Sequence, residues 1–191
     1  FTDVRIPDSQ RLGAVGQGWQ VAITTLMNER AAIGGGGGGV GFDAVFDLAK
    51  RVDTGNGPAI EDQSVRAKLA TWYCQEAGLK FTGYRSMTAL SKGETPGPEN
   101  SIGKLVGASK TQDMASFAMD LLELSGALWD SEFAEEAGLY PATFMGAPGG
   151  RIAGGSDEIM LNILAERVLG LPQDVRLDKG IPFNEVPTGS N

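Results

Sequence analysis

A glutamate and an arginine stand side by side in a predicted helix, and they are the residues of this chain best suited to acid–base chemistry. The apolar residues around them recur at steps of three and four, as on one face of a helix: Trp19, Ala22, Ile23, Leu26 and Ile33. Glu29 and Arg30 fall on that face, where a carboxylate costs free energy unless it is paired, hydrogen-bonded or protonated. Two interpretations stay open. Either both side chains reach water at the edge of the face, or Glu29 points into a cavity as a base.

The composition narrows the range of functions. The chain has 191 residues, a formal net charge of −8 and a pI of about 4.6, which argues against nucleic acid or an anionic membrane as a partner. It has no histidine, which removes histidine triads and most zinc or iron sites, so no metal site is predicted. The single cysteine, Cys74, excludes an internal disulfide and fits a reducing compartment such as the cytoplasm. No apolar run approaches the ~20 residues of a membrane span.

Helical periodicity dominates the chain. Helices are predicted over residues 17–33, 42–52, 61–91 and 99–129, with a last helix that follows Ser156 and ends before Pro172. Apolar residues at helical spacing in the long helix 61–91 are expected in the core: Val65, Leu69, Trp72, Tyr73, Tyr84, Met87 and Leu90. The pattern predicts an all-α, up-and-down helical bundle.

The segments outside the helices complete the predicted organisation. Residues 4–6 alternate in polarity and stop at Pro7, which predicts one short residual β-strand whose sheet lies upstream, in a longer protein. Residues 1–16 are therefore interpreted as the end of a preceding β-domain, 17–172 as the bundle and 173–191 as an extended tail. A Gly/Pro-rich loop is predicted over 139–155, and Ser156 is expected to cap the helix that follows it.

Six consecutive glycines follow the first helix, at residues 34–39. Each glycine costs a helix roughly 1 kcal/mol relative to alanine, so the helix either breaks there or is held by packing. A flexible turn and a close backbone approach to a helix or a bulky ligand both fit. A phosphate loop does not, because no strand precedes the series and no GK[ST] ending follows it.

Several stretches resemble the acyl-CoA dehydrogenase family, in its bacterial branch. The N-terminal ones are residues 1–7 (FTDVRIP), 16–19 (GQGW) and 28–30 (NER), and the C-terminal ones are 152–159 (IAGGSDEI) and 166–172 (ERVLGLP), with 82–85 (TGYR) and 101–105 (SIGKL) between them. The resemblance covers nearly the whole chain and implies the C-terminal helical bundle of the family, preceded by the last strand of its middle domain.

The resemblance also implies a reaction. In the family a carboxylate removes the α-proton of an acyl-CoA thioester, while the β-hydrogen leaves as hydride to N5 of FAD. Family members carry this base either on the first bundle helix, directly before an arginine, or just before a Gly-Thr-Ser-like turn. Here the first position is Glu29, followed by Arg30, which would orient or balance it, and the second is Gly154. Gly155, Ser156 and Glu158 match the positions where the family contacts its own flavin.

Two motifs depart from the family pattern. The Arg-x-x-Phe-Gly motif, which reaches the flavin of a neighbouring subunit, is replaced by residues 52–56 (VDTGN), with Arg51 as the nearest cation. The Gln-x-x-Gly-Gly motif, also given to a neighbour, is reduced to residues 123–127 (ELSGA). Because the elements lent to a neighbour are eroded, a homo- or hetero-oligomer is expected, and a hetero-oligomer with fewer flavins than subunits is the hypothesis favoured.

The leading prediction is thus the C-terminal part of an FAD-dependent acyl-CoA dehydrogenase, with an electron-transferring flavoprotein as electron acceptor. The isolated chain is not expected to bind FAD tightly or to be active alone. The alternatives are a non-catalytic helical subunit or scaffold that assembles with a catalytic homologue, and a helical domain that merely descends from the family. The glycine series after Glu29 adds the hypothesis of a wide acyl group, branched or ring-bearing.

Overall fold

The computed structural model describes residues 1–34, 39–94, 97–130 and 132–187, without the side chains of 27, 28, 30–34 and 137. Within these ranges the chain forms six α-helices, which confirms the all-α bundle. They are α1 (Gly18–Gly34), α2 (Phe42–Arg51), α3 (Gln63–Ser91), α4 (Ser101–Leu121), α5 (Leu139–Ile152) and α6 (Asp157–Ile163). A π-helical segment, Leu164–Val168, continues α6.

Helix α4 lies at the centre of the bundle, because all five other helices contact it. The core joins the inner faces of α2, the first half of α3, the second half of α4 and the start of α5. Its fully or almost fully buried apolar side chains include Val45, Leu48, Leu69, Trp72, Met114 and Tyr140. Trp72 and Phe117 meet edge to face with their ring centroids 5.2 Å apart, a favoured aromatic geometry.

Helix α3 begins at a capping aspartate and is only half buried. The Asp62 carboxylate accepts hydrogen bonds from the backbone amides of Ser64 and Val65, which satisfies donors that have no partner within the helix. Val65, Leu69 and Trp72 are buried as predicted. The prediction was wrong for the other core residues of this helix, Tyr73, Tyr84, Met87 and Leu90, which are 52–65% exposed. Tyr73 contacts the Phe42 ring of α2, with the centroids 5.6 Å apart, but stays largely open to solvent.

Helix α5 replaces the loop predicted over residues 139–155. Glycine and proline predict a loop because both disfavour helix interiors, and Pro148 lacks the N–H of a regular helical bond. Burial of Tyr140, Pro141 and Thr143 against the bundle overrides that preference. The Tyr140 hydroxyl also donates to the backbone carbonyl of Ala44 in α2, at 3.4 Å.

The short strand predicted at residues 4–6 is not formed. A strand needs a neighbouring strand to satisfy its backbone groups, and residues 4–6 are exposed and have no such neighbour in the described part of the chain. Of the glycine series, residues 35–38 lie outside the described residues. At Gly39 the backbone approaches other helices closely, since an added Cβ would lie 3.2 Å from Thr143 and 3.4 Å from Thr111.

Candidate active site

Glu29 lies in the second half of α1, which packs against α4 and the 3₁₀ turn Pro98–Asn100. Its carboxylate is exposed in this chain. Arg30 follows it in the same helix, but its side chain lies outside the described ones. Glu29 therefore lies at the surface of the described part of the chain.

The three residues predicted to contact the flavin lie together in and just after a tight turn between α5 and α6. Gly154 and Gly155 have φ angles of +70° and +113°, a region that residues with a Cβ rarely adopt. Ser156 then stands directly before α6. It makes no capping bond to the backbone, contrary to the prediction. Its hydroxyl instead bonds the Glu158 carboxylate, which lowers the pKa of this exposed side chain below its usual value.

Behind this turn lies a buried lysine that the sequence analysis did not single out. The side chain of Lys104, in α4, is completely inaccessible. Its ammonium group donates to the backbone carbonyls of Arg151, at 2.8 Å, and of Gly155, and lies 3.7 Å from Oδ1 of Asp157. The available signal was its spacing: Lys104 precedes the buried Ala115 by three helical turns on the same face.

Two further side chains complete this polar cluster. Arg151 donates from Nε to Oδ2 of Asp157, at 2.6 Å, and from Nη1 to the side chain of Gln112 in α4, at 3.0 Å. The cluster of Lys104, Gln112, Arg151 and Asp157 thus fastens the end of α5 and the start of α6 to α4. Asp157 is engaged in ion pairs, so it is not free to act as a base.

Gly154, which the sequence analysis predicts at the alternative base position, is buried and has no side chain. Helix α4 packs against both α1, which carries Glu29, and α6, which follows the turn of Gly154 and Gly155. Among the described residues, no group of three or more Cys, Asp or Glu side chains is arranged to hold a metal ion.

Arg51 forms ion pairs within the chain. It is the cation nearest to the segment that replaces the Arg-x-x-Phe-Gly motif. Its guanidinium bonds the carboxylates of Glu135 and of Glu136, the latter at 3.0 Å. The second eroded motif forms a 3₁₀ turn, Glu123–Ala127. Its Gly126 packs so tightly that an added Cβ would lie 2.4 Å from the carbonyl oxygen of Met119.

The fold agrees with comparisons to known proteins. Residues 16–169 match the family model of the acyl-CoA dehydrogenase C-terminal domain, and the chain belongs to that family. The relative IpdE1 of Mycobacterium tuberculosis, an acyl-CoA dehydrogenase, is 31% identical over 92% of this chain and 44% of its own length. The chain therefore spans less than half the length of this relative.

Two solved structures share the fold. The ChsE4-ChsE5 complex of Mycobacterium tuberculosis matches with a TM-score of 0.70 and 23% identity, over 90% of this chain and 45% of that chain. The Tcur3481-Tcur3483 steroid ACAD matches with a TM-score of 0.70 and 24% identity, over 91% of this chain and 45% of that chain. None of the described helices is both long and apolar enough to span a membrane.

Proposed function

We propose that the protein containing this chain is an FAD-dependent acyl-CoA dehydrogenase, with Glu29 as the base that removes the α-proton of the acyl-CoA thioester. The proposal rests on one observation: the chain belongs to the family and has a carboxylate at only one of the two positions where family members carry the base. The chain has a carboxylate at one of them, Glu29, and a buried glycine at the other, Gly154. A site with one base needs only one of these positions.

Glu29 would work as a base once it is covered. Burial disfavours the charged form of a carboxyl group and raises its pKa toward neutrality, where proton abstraction is most effective. An acyl chain lying over the exposed face of α1 would supply that covering when substrate binds. Arg30, the next residue, would then hold the carboxylate in orientation or balance its charge.

The turn before α6 suits a flavin by the chemistry of its groups. The Ser156 amide, directly before α6, can donate a hydrogen bond, and the exposed Glu158 carboxylate can accept one. The amide of Gly155 already donates to the carbonyl of Ile152, at 3.2 Å, so Gly155 would contribute by bending the backbone close to the cofactor without a Cβ. Bound FAD supplies the acceptor for the hydride that leaves the β-carbon as the α,β double bond forms. An electron-transferring flavoprotein is the proposed electron acceptor of the enzyme.

The same protein is proposed to work as a hetero-oligomer. In it, a different chain supplies the contacts to the neighbouring subunit's flavin that the altered motifs of this chain no longer make. Three observations support this. Residues 52–56 lack the arginine and phenylalanine of the family motif, Arg51 is engaged by Glu135 and Glu136, and one fold relative is a complex of ChsE4 with ChsE5. The wide-acyl hypothesis is supported by a second fold relative named as a steroid ACAD.

Anaerobic titration with acyl-CoAs tests the proposal, using the full-length protein both alone and in complex with a co-expressed homologue. Straight-chain and ring-bearing thioesters should be compared while the flavin absorbance is recorded. Bleaching of a bound flavin, with release of the 2-enoyl-CoA product, is the expected result, and a preference for the ring-bearing substrate would support the wide site. A flavin that no acyl-CoA bleaches would favour a non-catalytic subunit, and a complex without any flavin would favour mere descent from the family.

A further inference from the structure

We propose that Lys104 is a positioning residue of the flavin site, whose buried ammonium group holds the turn of Gly154 and Gly155 against α4. The inference rests on the proposed FAD binding, since the turn carries Gly155, Ser156 and Glu158. It assigns to a residue of the central helix a role in cofactor binding, although its side chain is buried behind the turn and faces α5 and α6.

The bonds of Lys104 are made to the two sides of the turn. One acceptor is the carbonyl of Arg151, in the last turn of α5, where a helix leaves its carbonyls without partners. The other is the carbonyl of Gly155, within the turn itself. A buried ammonium group whose N–H groups lack acceptors costs free energy. This cost favours backbone conformations in which both carbonyls stay bonded to Lys104. The backbone on both sides of Gly154 is thereby tied to one point of α4.

The turn needs such a tie because of its composition. Gly154 and Gly155 both adopt positive φ, and glycine has the largest range of backbone conformations to lose when it is ordered. A cofactor that binds a pre-ordered turn avoids part of that cost, which favours binding. Without the lysine, FAD itself would have to order the backbone of Gly155 and Ser156.

The effect of Lys104 on the turn can be tested separately from its effect on the stability of the bundle, because a second cation contacts the same carboxylate. Lys104 and Arg151 are two cations around one carboxylate, Asp157, and Arg151 contacts Asp157 directly at 2.6 Å. A neutral side chain at position 104 therefore leaves Oδ2 of Asp157 paired with Arg151, while the buried Oδ1, which accepts no hydrogen bond, loses the cation that faces it. Lys110 is a matched control, because it is also a nearly buried lysine of α4 but bonds Glu76 of α3, away from the turn.

The experiment compares Lys104→Met, Lys104→Gln and Lys110→Met in the full-length protein, in whichever assembly, alone or with a co-expressed homologue, the wild type binds FAD. The dissociation constant for FAD is measured by adding FAD back to the apoprotein, and amide hydrogen exchange is followed over residues 152–158. Lys104→Met is expected to raise the FAD dissociation constant roughly tenfold or more, because FAD binding would then have to order the two glycines of the turn. It should also speed exchange in the turn. Lys104→Gln, which keeps a donor, should show a smaller effect and remains useful if Lys104→Met does not fold.

Lys110→Met is expected to lower the melting temperature without changing the FAD dissociation constant or exchange in the turn. Equal FAD affinity in wild type and both Lys104 variants, or equal losses in the Lys104 and Lys110 variants, would overturn the inference. If the wild type binds no FAD in any assembly, the proposed function fails instead. Unchanged exchange over 152–158 in the Lys104 variants would then show separately that the lysine does not hold the turn.

Discussion

At the scale of single residues, two charged side chains of this chain stand in opposite environments. Glu29 is exposed although the sequence places it on an apolar face, and Lys104 is buried although lysine is rarely fully buried. A buried charge must have its partners within the chain, as Lys104 does. An exposed carboxylate needs none, and it is available to whatever covers it. The exposed environment suits the proposed base, Glu29, and the buried environment suits the proposed positioning residue, Lys104.

The base hypothesis predicts the behaviour of one conservative variant. Glu29→Gln keeps the size and polarity of the side chain but cannot accept a proton. Because a positioned base contributes typically 10²–10⁴-fold to a rate, turnover in the full-length complex should fall by at least about 100-fold, while FAD content stays unchanged. Steady-state kinetics and flavin absorbance measure the two quantities.

Glu185 offers the control for this variant, since it is an exposed glutamate of the C-terminal segment far along the chain. Glu185→Gln is expected to leave turnover and flavin content as they are. Nearly normal turnover in the Glu29→Gln complex would remove Glu29 from the chemistry and favour a subunit that lends surface rather than catalysis.

At the scale of elements, the start of α3 depends on an ionised cap. Hydrogen bonds from the Ser64 side chain and from the amides of Val65 and Ser64 lower the pKa of Asp62 below its usual value of 3.8. A lowered pKa in the folded state means that the stabilisation is complete above the unfolded pKa and is lost as the pH falls through the folded one.

Asp62→Ala should therefore lower the free energy of unfolding at pH 6, and the difference from wild type should shrink as the pH falls below 3.8. Urea denaturation at a series of pH values measures it. Asp62→Asn, which caps without a charge, should be closer to wild type and less dependent on pH. A difference between wild type and Asp62→Ala that persists unchanged at pH 2.5 would contradict the account.

Helix α2 is held by its buried face. Leu48 is completely buried in the core, next to Val45 and Ala49. Leu48→Ala should destabilise the protein by about 2–5 kcal/mol, because it removes apolar contacts and leaves a cavity. Denaturant unfolding measures the loss. Asp47→Ala, at the exposed neighbouring position, is the matched control and should have little effect; similar losses in both variants would argue against this packing.

At the scale of the whole molecule, the chain displays more apolar surface than a self-sufficient bundle needs. Large apolar side chains that are at least half exposed include Trp19, Phe81, Tyr84, Met87 and Phe183. Extended apolar surface of this kind is typical of contacts with further protein. The chain also spans only 44% of the length of IpdE1, and the partner subunit of the proposed hetero-oligomer would be able to cover part of this surface.

The hetero-oligomer hypothesis predicts a flavin count. If another chain must supply the trans contacts, the full-length protein purified alone should carry little flavin, and a co-expressed homologue should restore one FAD for every two chains. Flavin absorbance against protein concentration, combined with the mass of the complex, gives the ratio. One FAD per chain in a homo-oligomer would refute the hypothesis and show that the altered motifs at 52–56 and 123–127 still serve a flavin.

The sequence alone determined the features that depend on local pattern. Periodicity placed α1, α2 and α3 within two residues of their observed ends, because the apolar spacing and the breakers Gly, Pro and Asp act locally. The glycine-rich turn and the residues after it were also located, and with them the family. The roles of Glu29 and Arg30 and the contacts of Gly155, Ser156 and Glu158 with a flavin stay predictions.

Only the tertiary structure decided the features that depend on distant neighbours. Helix α5 forms although its glycines and prolines disfavour a helix. The free energy gained when Tyr140 and Thr143 are buried against the bundle exceeds the cost of that low helix propensity. Tyr84 and Met87 repeat at helical spacing yet stay exposed, since periodicity marks a face but not what covers it. Lys104 meets Arg151 and Gly155, about fifty residues away, and no local pattern encodes a contact across that separation.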